Sequence, residues 1–148
     1  MFENAGIQYG LILCEDAWHT GPAKQAHAAG AQVLLVLNAS PYHLQKETLR
    51  IEVLRKHIAL TKMPLVYVNA VGGQDELVFD GGSFALNNLG EVVMAMPQFE
   101  VGLGLVDINS AGQLEKGLIA PSLSVEAQAY QALVLGCLLY TSPSPRDR

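Results

Sequence analysis

Val33-Leu34-Leu35-Val36-Leu37, closed by Asn38, is an apolar run with almost no alternation. A strand of that kind needs apolar cover on both faces, which is the situation inside a layered α/β domain. Ile7 to Leu13 reads as a second buried strand and Leu65 to Asn69 as a third. Helical patterns lie between them. Pro22 to Gly30 is rich in alanine, with Pro22 suited to a first turn and Gly30 to a helix end. From Gln45 to Thr61 the residues Leu49, Val53, Leu54, Ile58 and Leu60 recur near helical spacing, and Lys46, Arg50, Arg55 and Lys56 are expected on the solvated side.

Beyond Leu65 to Asn69, Gly72 to Leu77 reads as a polar loop. Ser83 to Leu86 and Val92 to Met96 read as strands joined by a turn at Asn87 to Glu91, and Val101 to Ile108 as a last strand. Ser122 to about Gly136 reads as a helix capped by Ser122 or Ser124, with Glu126 in its first turn. Strand–helix–strand–helix–strand followed by hairpins predicts an α/β layered domain with buried sheets.

Composition narrows the class. The chain has 148 residues, 50% of them hydrophobic and 16% charged, which excludes disorder of its body and suits one domain. No apolar run reaches the roughly 18–20 residues that span a bilayer, and no secretory signal opens the chain. A net charge of −5 without a basic stripe argues against nucleic acid. Cys14 and Cys137 stand far apart with no CxxC spacing, which suggests a reducing compartment, so a cytoplasmic enzyme is expected.

Cys14 stands where the first strand ends and Glu15-Asp16-Ala17-Trp18 must turn. A nucleophile on such an elbow is exposed and can be met by backbone N–H groups acting as an oxyanion hole. The spacing by itself favours a small buried hydrophobe. A dyad of Cys14 with His19, His27, His43 or His57, of which His19 and His43 are nearest, and a metal site from Asp16 and His19 are weaker alternatives, and the paired glycines at 72–73 and 81–82 lack a phosphate-loop context.

The local words add to this reading. Leu13-Cys14-Glu15-Asp16-Ala17-Trp18 resembles the nucleophile motif of the nitrilase (carbon–nitrogen hydrolase) superfamily. Asn38-Ala39-Ser40-Pro41-Tyr42, Tyr67-Val68-Asn69 and the string Val71 to Ser83 follow in the superfamily's order. Within it, these words are most similar to the glutaminase domain of the glutamine-dependent NAD synthetases, over roughly Phe2 to Gly136. The resemblance implies a nitrilase-like α-β-β-α sandwich, here only its C-terminal half. It implies that Cys14 attacks the carboxamide of glutamine and releases ammonia, and that Ser40 and Lys46 bind the glutamine. Without it, Ser40 reads as a turn serine and Lys46 as a solvated helix lysine. Glu15 either shapes the pocket or is a plain turn carboxylate.

The family's general base Glu and oxyanion Lys precede the Cys. Here thirteen residues precede Cys14, Glu3 is their one acid and none is a lysine, so the isolated chain is expected to be inactive. The expected organisation is a partial glutaminase domain over 1–121, a connector helix over 122–136 and a disordered foreign tail over 137–148. ATP and Mg²⁺ are expected in an absent synthetase domain that amidates deamido-NAD⁺, with no cofactor in this chain, no nucleic-acid or membrane partner, and a homo-oligomer when full length. A stand-alone amidase and a non-catalytic half-domain are the competing readings.

Overall fold

The structure, a computed structural model, describes residues 1–141. Strands β1 (Phe2–Asn4), β2 (Ile7–Leu13), β3 (Val33–Asn38) and β4 (Leu65–Asn69) join β7 (Phe84–Leu86) and β8 (Val92–Ala95) in a six-stranded sheet. The hairpin β5 (Val71–Gln74) and β6 (Leu77–Asp80) forms a separate two-stranded sheet. In the large sheet the spatial order is β1-β2-β3-β4-β7-β8, with β2, β3 and β4 parallel and the outer pairings antiparallel.

The apolar runs lie where their lack of alternation predicts, in the middle of this sheet. Helices α1 (Thr20–Ala28) and α2 (Lys46–Thr61) are the crossovers of the parallel strands. They cover one face through a core that includes Ala23, Leu34, Val36, Leu54, Ile58, Leu65 and Phe84. On the other face Val33, Ala85, Val93 and Met94 pack under the segment 101–120, which supplies Val106, Ile108 and Leu114. Helix α3 (Val125–Thr141) lies against the β5–β6 hairpin. No helix is long and apolar enough to cross a membrane among the described residues.

Four expectations are corrected. The polar loop at 72–77 is a hairpin with a two-residue turn at Asp75 and Glu76, Gln74 pairing with Leu77. Val101 to Ile108 forms no strand: apart from a single bridge at Ile108 its backbone finds no ladder partner. The phase of α2 also differs, because Arg50 is buried beside Leu54, His57, Ile58 and Thr61 while Leu49 and Leu60 face solvent. Finally, the last helix begins at Val125 and continues past Gly136 to Thr141, so 137–141 is helical rather than disordered. Its cap is Ser124, whose Oγ accepts from the Ala127 N–H at 3.2 Å. The rest of the expected tail, 142–148, lies outside the described residues.

Candidate active site

The parallel register brings the candidate residues to one edge. Leu13 pairs with Leu37 and Asn38 with Asn69, so Cys14, Asn38 and Asn69 stand side by side at the carboxyl ends of β2, β3 and β4. That edge is where open α/β sheets bind ligands.

Cys14 is exposed and has φ 42°, in the left-handed region. A side-chain-bearing residue held there costs about 1–2 kcal/mol, a strain that persists where surrounding structure enforces it. Two bonds do so. The Asp16 carboxylate accepts the Leu13 N–H at 3.2 Å, closing the 3-10 turn Cys14–Trp18 on itself. His57, 1% exposed on α2, donates from Nε2 to the Ala17 carbonyl at 2.6 Å and bolts the turn to the helix layer. Nearby, Glu15 and His19 face one another at 3.8 Å in solvent.

Beneath this edge lies a buried polar network. Arg50 donates to both oxygens of Asp80, at 2.9 and 2.8 Å, with side-chain exposures of 2% and 0%. Its other contacts fix the chain after β3, through the Ser40 carbonyl at 2.9 Å and the Ser40 Oγ at 3.4 Å. Asn69 completes the clamp by accepting the Ser40 N–H at 2.9 Å and donating to the Gly81 carbonyl at 3.1 Å. Gln98 donates to Asp80 at 3.2 Å.

Tyr67 joins the network to the elbow. Burial raises its phenol above the ordinary 10.0, and Asp80 and a Cys14 thiolate add to the rise; Arg50 and a hydrogen bond with Ser40 oppose it. Burial and the Asp80 charge likewise raise Glu47, against a lowering from Arg50. Lys46, the first residue of α2, places Nζ 4.4 Å from the centroid of the Trp18 ring.

The structure thus gathers all three sequence-derived candidates, Cys14, Ser40 and Lys46, around one turn and one loop. Ser40 is buried, its hydroxyl directed at Arg50 and Tyr67 rather than at open solvent. The sequence carries no sign of the buried Arg50–Asp80 pair, and His57 serves as a brace on the Ala17 carbonyl rather than as a partner of Cys14. The available signal for burial on α2 was helical phase: Arg50, Leu54, His57, Ile58 and Thr61 share one stripe of α2. Among the described residues no group of three or more His, Cys, Asp or Glu side chains converges as a metal site.

The carbon-nitrogen hydrolase family model matches residues 1–116. Glutamine-dependent NAD(+) synthetase of Rhodobacter capsulatus is 42% identical over 146 residues, covering 96% of this chain and 26% of that protein. The solved glutamine-dependent NAD+ synthetase of Acinetobacter baumannii, in complex with ADP, superimposes with a TM-score of 0.87 at 36% identity, over 94% of this chain and 27% of that one. A mutant amidase of Nesterenkonia sp. AN1, bearing the product of Michael addition of acrylamide at its active site cysteine, superimposes with a TM-score of 0.58 at 27% identity, over 65% of this chain and 37% of that one. The chain spans about a quarter of the length of the curated relatives it matches. With 116 of its 148 residues inside the family model and the strained cysteine at the carboxyl edge of a parallel sheet, the chain belongs to the carbon–nitrogen hydrolase family.

Proposed function

We propose that this chain is the nucleophile-bearing segment of a glutamine-dependent NAD synthetase. The observation that carries the reading is Cys14, strained and exposed on a tight turn at the carboxyl end of β2, in a chain that is similar to such synthetases over nearly its whole length. The Cys14 thiolate attacks the carboxamide carbon of glutamine. The tetrahedral intermediate collapses by breaking the C–N bond, and the nitrogen leaves as ammonia, taking up the proton that the thiol gave up on ionising. Water then hydrolyses the glutamyl thioester, freeing glutamate and restoring the thiol. Lys46 holds the α-carboxylate of the glutamine. Ser40 forms the floor of the site, where a ligand amide competes with Arg50 and Tyr67 for its hydroxyl.

Residues 1–121 contribute to the glutaminase and 122–136 connect it to the synthetase part; 137–148 is foreign sequence. ATP, Mg²⁺ and deamido-NAD⁺ belong to that synthetase part, which consumes the ammonia, and the full-length protein works as a cytoplasmic homo-oligomer.

The test is Cys14→Ser in the full-length protein, with NAD⁺ formation driven by glutamine and, separately, by ammonia. Glutamine-driven synthesis falls by about 10³-fold or more while ammonia-driven synthesis persists. Undiminished glutamine-driven synthesis overturns the assignment. Hydrolysis of simple amides with no NAD⁺ formed from either nitrogen source favours a stand-alone amidase instead.

A further inference from the structure

The start of α2 is poorly built for helix stability. Its N-cap, Gln45, is left-handed at φ 63° and makes no side-chain cap bond. The first helical residue, Lys46, puts a cation at the positive end of the helix macrodipole. Among the described residues no carboxylate lies within ion-pair distance of it. Its ammonium instead lies over the Trp18 ring, 4.4 Å from the centroid. Indole is the best of the aromatic faces for a cation.

Trp18 is also the last residue of the turn that Cys14 opens. The turn is held by Asp16 and His57. Thiol and ring therefore ride on one braced unit, and the ring sets how far the cation lies from the thiol.

We propose that Trp18 is a positioning residue: its indole face holds the Lys46 ammonium at a fixed place relative to Cys14, leaving the outward N–H groups for a substrate carboxylate. This rests on the proposed role of Lys46 in holding the α-carboxylate of glutamine. A neutral amide lacking that carboxylate gains nothing from the arrangement, so the Trp18–Lys46 pair favours amino-acid amides over simple ones.

The experiment is a double-mutant cycle on glutamine kinetics in the full-length protein, with Trp18→Leu, Lys46→Met and the pair, and ammonia-driven synthesis as the control for folding. Trp18→Leu raises the KM for glutamine about fivefold with kcat within about twofold, and Trp18→Phe, which keeps a ring, recovers most of the loss. In the Lys46→Met background Trp18→Leu adds less than about twofold. Effects that multiply fully, or a loss carried by kcat, overturn the positioning role while leaving Lys46 in place. A glutamine KM unmoved by Lys46→Met overturns the carboxylate reading, and the Trp18 proposal with it.

Discussion

Arg50 and Asp80 show how one pair of residues can organise a site that neither of them enters. Two opposite charges, 2% and 0% exposed, are removed from water and repaid by a bidentate contact and by bonds from Asn69 and Gln98. Removing one partner strands the other. Arg50→Met is expected to destabilise by about 3–5 kcal/mol in urea unfolding, and Arg50→Met with Asp80→Leu by clearly less than either change alone predicts. Tyr67 gives the pH dependence. Its folded value is raised above 10.0, chiefly by burial, so the protonated phenol contributes stability that is fully present below pH 10.0 and is lost as pH rises through the raised value. Unfolding midpoints are expected to fall above pH 10.0, and Tyr67→Phe to flatten the fall, with the similarly raised Tyr42 accounting for a remainder. At this scale the turn at Cys14 was legible, because the residues that make it are its immediate neighbours. Arg50 was not, because its partner stands thirty residues away in sequence.

At the scale of elements the apolar strands were legible and their partners were not. Val33 to Leu37 reads as buried from its own composition, since cover on both faces is written into every position. Val101, Leu103 and Leu105 alternate with Gly102 and Gly104, as a strand would, yet their side chains are exposed and no ladder forms. Alternation describes a side-chain pattern, whereas a strand also needs a neighbouring backbone to bond. The hairpin at 71–80 is the converse case, a glycine-rich polar stretch that pairs because its two halves meet across a two-residue turn with Asp75 left-handed at φ 51°. Close packing of α1 on β2 rests on Gly10, where an added Cβ would come within 2.9 Å of the Ala26 Cβ and 3.2 Å of the Ala31 Cβ. Gly10→Ala is expected to destabilise by about 1–3 kcal/mol, measured by denaturant unfolding. Ala26→Gly in the same chain relieves the contact, so the double variant loses less than the two single changes added together.

Across the whole molecule the two faces of the sheet are unequally covered. Helices seal one of them. On the other the strap 101–120 covers the end near Val33 and Ala85, but Leu11, Leu13, Leu37 and Val68 remain exposed near the carboxyl edge, between 42% and 56% of each residue. The register makes them one patch, because Leu13 pairs with Leu37 and Leu37 with Val68. Contiguous apolar surface of this kind drives association. The 148-residue chain is expected to self-associate with rising concentration in sedimentation velocity, and Leu37→Lys to shift it toward monomer; a monomer at every concentration would show the patch to be inert.

What the sequence determined by itself was whatever neighbouring residues decide among themselves: buried strands from unbroken apolar runs, helices from their periodicity, and the turn that opens at Cys14 from six consecutive residues. Tertiary structure alone decided which face of α2 is buried, which glycine-rich stretch pairs and which apolar stretch does not, and that Ser40 is clamped from below. Each of those depends on a charge or a backbone brought in from a distant part of the chain, and local pattern carries no record of what it will meet.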